Sequence, residues 1–163
     1  RAVLRFSDLK VPRSLAKARR RSGHTVTIDR DFSSVISACA AAVRPDQDIT
    51  WITDDFIRVY TEGHRQGFVH SVEVWNESGE LVGGLYGVDA GGVFAGESMF
   101  HREPNSSKFA LLYLIEHLAE RGAEWIDIQM LTPHLAALGA REIRRDEFLK
   151  DLRTAQDKGL KLF

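Results

Sequence analysis

Ser71-Val72-Glu73-Val74-Trp75 alternates apolar and polar side chains, Asn76-Glu77-Ser78-Gly79 breaks the run, and residues 80–89 resume strand spacing. A short polar break ending in glycine between two such runs reads as a β-hairpin. Gly91-Gly92 then turns the chain into Val93-Phe94-Ala95-Gly96-Glu97-Ser98-Met99-Phe100, a third strand-length run. Three strands joined by short turns predict an antiparallel meander. Pro104-Asn105-Ser106-Ser107 next starts a long helix, whose Leu111, Leu112, Leu114, Ile115 and Leu118 cover a wide face until Gly122 ends it. Residues 124–130 return to strand spacing, and a strand reached through such a crossover lies parallel to its sheet neighbour. The expected fold class is therefore α/β (α+β): meander, crossover helix and parallel strand, flanked by further helices.

Outward from this block the spacing becomes helical. Pro12 suits a first helical turn, and residues 12–21 continue in helix formers. Residues 24–29 alternate as a short strand. Asp31 or Ser33 can cap a helix over 32–43, which ends before Arg44-Pro45. Thr53-Asp54-Asp55 caps a helix over 56–66 with Ile57, Tyr60 and His64 on one stripe, stopped by Gly67. Downstream, residues 134–138 form a short helix stopped by Gly139, and a terminal helix runs from about residue 146. No repeat, low-complexity tract or linker interrupts the chain, so residues 1–163 are expected to form a single domain.

Composition narrows the classes. With 163 residues, 44% hydrophobic and 28% charged, the chain can bury a sizeable core. No apolar run approaches the roughly 20 residues of a membrane-spanning helix, so no membrane partner is expected. Cys39 is the one cysteine, which forbids an internal disulfide and favours a reducing, cytoplasmic setting. Its small-residue surroundings read as core. The net charge of −1 conceals three blocks: nine Lys/Arg against two acids in residues 1–30, six against sixteen in 31–139, and seven against five thereafter. A basic start suits a polyanion and an acidic middle suits a cationic ligand, although either is also compatible with a solvated face.

Chemistry concentrates in two strands. Side chains alternate along a strand, so Asp127 and Gln129 should share a face, their Cα atoms roughly 6.5–7 Å apart. A carboxylate beside an amide at an apolar edge can handle an amine and a carbonyl. Glu97 sits among Phe94, Met99 and Phe100, where a carboxylate needs a partner; the choices are an ion pair with Arg102 or Lys108, or a cationic substrate group. His134 near a helix start reads first as structural. No metal-ligand spacing, P-loop or Gly-x-Ser-x-Gly elbow occurs.

The layout resembles the acetyltransferase-like (GNAT) fold, which by itself assigns no chemistry. In that fold a glycine-rich turn before the crossover helix presents amides to the CoA pyrophosphate. Here the connection is His101-Arg102-Glu103-Pro104-Asn105-Ser106-Ser107-Lys108, without glycine and with a proline that lacks an N–H. CoA is not expected, nor is any other cofactor.

A more specific resemblance rests on Thr50-Trp51-Ile52-Thr53, His70-Ser71-Val72-Glu73-Val74-Trp75, Leu81-Val82-Gly83-Gly84-Leu85-Tyr86-Gly87, Gly96-Glu97-Ser98-Met99-Phe100, Asn105-Ser106-Ser107-Lys108, Ile126-Asp127-Ile128-Gln129, His134 and Leu138-Gly139-Ala140. In this order they resemble the leucyl/phenylalanyl-tRNA–protein transferases across nearly the whole chain. The resemblance implies transfer of Leu or Phe from its tRNA to the α-amine of proteins with N-terminal Arg or Lys, marking them for N-terminal-rule degradation. It implies that Asp127 polarises Gln129, whose carbonyl accepts a proton from the attacking amine. Leu85, Phe94, Met99, Leu111, Leu114, Leu118 and Ile126 would form the aminoacyl pocket, with Glu97 near the amines and Trp51 stacked on the tRNA 3′ end. Arg13, Lys17, Arg19, Arg20 and Arg21 would meet the tRNA backbone.

Two departures accompany it. Leu85 stands where some members carry methionine, and Thr132 where some carry asparagine. The family's N-terminal subdomain, with its tryptophan-rich stretch, is expected to be absent from this chain. A monomer is expected. The competing readings are another aminoacyl-tRNA-dependent transferase of GNAT-like fold, of the peptidoglycan type, and a non-catalytic tRNA-binding module.

Overall fold

The computed structural model describes residues 1–42 and 50–163. In chain order it runs β1 (Ala2–Arg5), α1 (Arg13–Arg21), β2 (Thr25–Ile28), α2 (Phe32–Ala41), α3 (Asp54–Arg65), β3 (Val69–Trp75), β4 (Leu81–Asp89), β5 (Phe94–His101), α4 (Ser106–Glu120), β6 (Trp125–Gln129), α5 (Pro133–Ala137), β7 (Arg141–Glu142) and α6 (Arg145–Asp157). Among the described residues the strands form one mixed sheet in the order β2-β3-β4-β5-β6-β1-β7. The meander β3-β4-β5 is antiparallel, and β6 lies parallel to β5 as the crossover requires.

Strand β1 escaped the sequence reading. Ala2, Val3 and Leu4 are all buried and show no polar alternation, because β1 lies inside the sheet, antiparallel to both β6 and β7. Asp31 caps α2 by accepting the Ser34 N–H at 3.0 Å. Thr53 holds the N-cap position of α3 without a side-chain bond, and Asp54 and Asp55 in the first turn face the positive end of the helix dipole. The expected end of α2 at Val43 and its stop at Arg44-Pro45 fall outside the described residues.

Helices cover both faces of the sheet. Helix α4 presses Phe109, Leu111, Leu112, Leu114, Ile115 and Leu118 onto Val72, Val74, Val82, Leu85, Phe94 and Ile126. Helices α2 and α3 cover the opposite face with Phe32, Val35, Ile36, Cys39, Ile57 and Tyr60 against Val69, Tyr86 and Phe100. Helix α6 packs Phe148, Leu152 and Ala155 on Val3, Val93 and Trp125.

The His70-Ser71-Val72-Glu73 segment is scaffold. Glu73 is fully buried and accepts from Thr27 Oγ1 at 2.6 Å, Ser71 Oγ at 2.5 Å and the Arg30 N–H at 3.3 Å. Asp29, at φ 56°, accepts the Ser71 N–H at 2.8 Å and lies 2.7 Å from His70 Nδ1. These bonds fix the corner between β2 and α2, because a buried carboxylate left without donors would be costly.

Gly83 lets α4 reach the sheet. Ser106 Oγ sits 2.8 Å from the Val82 carbonyl oxygen, and a Cβ at Gly83 would lie 2.4 Å from that hydroxyl and 2.9 Å from the Ser106 backbone carbonyl carbon. Gly83→Ala should therefore cost about 1–3 kcal/mol through overpacking. Thermal unfolding checks this, since about 2–4 °C of melting temperature per kcal/mol is expected at this size. An unchanged midpoint would contradict the close-approach account.

Candidate functional site

Strands β5 and β6 pair over only two positions, Phe94↔Ile126 and Ala95↔Asp127. Beyond them the strands part, and irregularities on both sides sharpen the divergence. Tyr86 faces Ser98 while Gly87 faces Gly96, which leaves Glu97 as the extra residue of a bulge in β5. Ala2 faces Gln129 while Val3 faces Asp127, which leaves Ile128 as the extra residue in β6. Such bulges bend a strand and re-aim its side chains. The wedge they open is a cavity of ≈ 120 Å³. An apolar cavity of about 150 Å³ holds a benzene ring; this wedge is smaller but open at its mouth, so a group larger than an isobutyl chain would extend into the opening.

Leu85, Phe94, Met99, Leu111, Leu114 and Ile126 line the wedge, together with Tyr86, Gly96, Ser98, Ile128 and Leu135. Leu118, expected with them, does not: one turn further along α4, it is fully buried in the core beneath. Tyr86 and Ile128 stand in blocks that carry the family resemblance but have no role assigned there, and Leu135 reads as ordinary core. Gly96 leaves the wedge open, because the nearest atom to a Cβ there would be the Asp127 carbonyl oxygen at 3.7 Å.

Glu97 lines the same wedge. Among the described residues it forms no ion pair with a lysine or arginine: Arg102 instead donates to the Leu81 carbonyl and covers the Phe100 ring, and Lys108 reaches Asn105. Its neighbour is Tyr60, whose phenol is pushed up to about 12, first by burial and then by the charge and hydrogen bond of Glu97. From Tyr60 an aromatic series leads outward. Tyr86 meets Tyr60 edge-on at 5.2 Å, Phe56 stacks on Tyr60 at 6.2 Å, and Trp51 meets Phe56 edge-on at 5.5 Å. Trp51 is 36% exposed, so the series ends in a ring available to a flat partner.

Asp127 departs from the expected geometry. It is 3% exposed and turned away from the wedge, which Ile126 and Ile128 face from the same strand. Arg1 grips it as a fork, with Nε 3.0 Å from both carboxylate oxygens and Nη2 2.8 Å from Oδ2. The Arg1 side chain is 42% exposed, so solvent screens the pair, and removing either partner should cost less than the roughly 3–5 kcal/mol of a fully buried pair. Oδ1 also accepts the backbone N–H of Gln129 at 2.9 Å; no bond to the Gln129 carboxamide forms. Gln129 itself sits at φ 63°, outside strand geometry, so alternation no longer fixes its direction. Its carboxamide reaches across the wedge, where Nε2 donates to the Gly96 carbonyl at 3.2 Å. Among the described residues the carboxamide oxygen has no protein donor.

The basic helix is partly neutralised. Arg13, Lys17, Arg20 and Arg21 are exposed and form no ion pair among the described residues. Arg19 is half-buried and meets both oxygens of Glu116 at 2.6 and 2.7 Å, which removes it as a free cation. His134, at the start of α5, is pushed below its ordinary value, first by burial and then by the charges of Lys108 and His101. The loop after Gln129 exposes Met130 and Leu131. No group of His, Cys, Asp and Glu residues able to hold a metal occurs among the described residues. The assembled groups are an apolar wedge, a carboxylate and a phenol on one side, and a carboxamide oxygen free to accept a hydrogen bond.

Residues 3–153 match the family model described as leucyl/phenylalanyl-tRNA protein transferase. Curated relatives with that name include proteins from Maridesulfovibrio salexigens, 49% identical over 91% of this chain and 62% of that protein, and Nitrosospira multiformis, 51% identical over 99% and 70%. A third, from Rubrobacter xylanophilus, is 47% identical over 95% and 78%. The chain thus spans about two thirds of the first two relatives' length. Among solved structures, that of L-PGS from Bacillus licheniformis aligns with a TM-score of 0.52 at 16% identity, over 81% of this chain and 47% of the other. At that identity the likeness concerns the fold alone.

Tyr60 offers a direct test of the wedge's electrostatics. Tyrosine ionises near 10 when unfolded, so the folded protein holds this proton longer. The stability that Tyr60 contributes is complete below pH 10 and is lost as pH rises towards 12. The absorbance difference between the protein and its Tyr60→Phe variant should show a tyrosinate transition near 12 that Glu97→Gln moves downward. A transition that Glu97→Gln leaves in place would remove the Glu97 contact, and one near 10 would remove the burial as well.

Proposed function

The chain belongs to the leucyl/phenylalanyl-tRNA–protein transferase family, and from that premise we propose that it transfers Leu or Phe from aminoacyl-tRNA to the α-amine of proteins with N-terminal Arg or Lys. The product would be marked for N-terminal-rule degradation, in the cytoplasm, by a monomer of GNAT-like fold working without a cofactor. The observation that supports this reading is the wedge between β5 and β6, lined by six of the seven residues that the family resemblance assigns to the aminoacyl pocket.

The aminoacyl side chain enters between Leu85, Met99, Leu111 and Ile126, and the ester carbonyl remains at the mouth near Gln129. Trp51 stacks on the terminal adenine, a contact worth about 1–3 kcal/mol. Arg13, Lys17, Arg20 and Arg21 meet the acceptor-stem phosphates in a salt-dependent manner. Glu97 attracts the incoming amines. The attacking nitrogen forms the peptide bond at the ester carbon as the bond to the tRNA 3′ oxygen breaks. The nitrogen's proton passes by way of the Gln129 carboxamide oxygen, and the leaving 3′ oxygen gains a proton to become a hydroxyl. The ester is already activated, so positioning supplies most of the rate. Asp127, gripped by Arg1 and turned from the wedge, serves to hold Gln129 and takes no proton from the amine.

Labelled Phe should pass from Phe-tRNA to a protein with exposed N-terminal Arg and not to one with N-terminal Gly. Binding of Phe-tRNA without transfer would favour a non-catalytic tRNA module, and transfer to a peptidoglycan precursor instead would favour the other transferase class. Gly96→Ala has room for its Cβ but narrows the wedge. It should lower kcat/KM for Phe-tRNA about 10-fold more than for Leu-tRNA, since small volume differences in apolar pockets are worth about 1–3 kcal/mol. Equal losses for both would place the side chain elsewhere.

A further inference from the structure

We propose that Arg1 is a positioning residue for the transfer, acting through Asp127 on Gln129. The inference deepens the function proposed above and rests on its reading of Gln129 as the group that meets the attacking amine. Its basis is a continuous series of contacts. The Arg1 guanidinium presents Nε to both Asp127 oxygens at 3.0 Å and Nη2 to Oδ2 at 2.8 Å. Its carbon lies 5.6 Å from the centre of the Phe148 ring, which in turn meets Trp125 edge-on at 5.8 Å. Helix α6 therefore backs the guanidinium, and Arg1 is held from two sides.

The carboxylate so fixed does one further thing. Its Oδ1 accepts the Gln129 N–H at 2.9 Å, and Gln129 stands at φ 63°. A residue with a side chain keeps that conformation only where its surroundings over-determine it. In this turned backbone the Gln129 Nε2 bonds to the Gly96 carbonyl at 3.2 Å, which aims the carboxamide across the mouth of the wedge. Freed from the carboxylate, Gln129 would keep only the Met130 N–H bond to the Ile128 carbonyl at 2.7 Å to hold this turn, and relaxation towards extended geometry would turn its side chain from Gly96. Arg1 touches neither the wedge nor any reacting atom; it sets the direction of the residue that does.

A fork is required rather than a charge alone. An arginine meets both carboxylate oxygens and fixes the plane of the group, whereas a lysine supplies a point charge that leaves the plane free to rotate. Simple neutralisation of a buried acid would be served by either residue, and this difference separates positioning from charge balance.

The test compares Arg1→Met and Arg1→Lys in the protein and in a Gln129→Ala background, with Phe-tRNA and an Arg-starting acceptor. Backbone amide exchange at Gln129, followed by NMR, is the second readout. Arg1→Met should lower kcat roughly 10–100-fold, as expected for a misaimed group, with KM for Phe-tRNA within about twofold and with faster exchange at Gln129. Arg1→Lys, which keeps the charge and the fold, should recover only part of both. Neither should lower kcat further once Gln129 is alanine. The proposal is overturned if Arg1→Lys matches the unsubstituted protein in rate and exchange, or if the Arg1 variants lose as much in the Gln129→Ala background. An unsubstituted protein that transfers no Phe would instead sink the function proposed above, and Gln129 exchange in the variants would still decide whether Arg1 holds Gln129.

Discussion

The parting of β5 and β6 after two paired residues governs the rest of the molecule. A parallel pair that continued would join the facing backbone groups and leave no space between the strands. Here each strand carries an extra residue, Glu97 in one and Ile128 in the other, and the ladder ends at Ala95 and Asp127. Backbone groups freed in this way need other partners. One is supplied by the Gln129 carboxamide, which takes the Gly96 carbonyl from across the gap. The same divergence that makes the apolar wedge thus also fixes the polar group at its edge.

The two carboxylates beside this gap have unlike surroundings. Glu97 lines the wedge, without a basic partner among the described residues and beside a phenol that stays protonated up to about 12. Asp127 lies outside the wedge lining, held by Arg1 beside α6. Two carboxylates that look equivalent in sequence are therefore unlike in character: one faces the cleft as a centre of negative potential, and the other is an internal support. The acidic middle of the chain acquires a specific member in Glu97. The basic start retains four exposed cations on α1 after Arg19 is spent on Glu116.

Much of this was legible in the sequence. The alternation of residues 71–75 and 80–89, the glycines of the turns and the long apolar face of α4 produce the meander and crossover as read, because each reflects local periodicity. The wedge lining was legible through family resemblance for Leu85, Phe94, Met99, Leu111, Leu114 and Ile126, and failed at Leu118, since one helix turn separates a cavity wall from solid core. Strand β1 was hidden because a short, fully buried strand has no alternation to show. Asp127 was read as facing the wedge because strand alternation was extended one residue too far. The positive φ of Gln129 ends it, and backbone conformation at a non-glycine residue leaves no trace in composition. Arg1 and Tyr60 were missed as site residues for a related reason: their importance lies in contacts 126 and 37 positions away.

The central claim is that the gap between β5 and β6 receives the aminoacyl side chain. A crystal structure with a non-hydrolysable phenylalanyl-adenosine tests it most directly. The benzyl ring should lie within about 4 Å of Leu85, Met99 and Ile126, with its carbonyl turned towards Gln129. A ring bound elsewhere, with the gap still unfilled or closed by the protein's own side chains, would contradict the account.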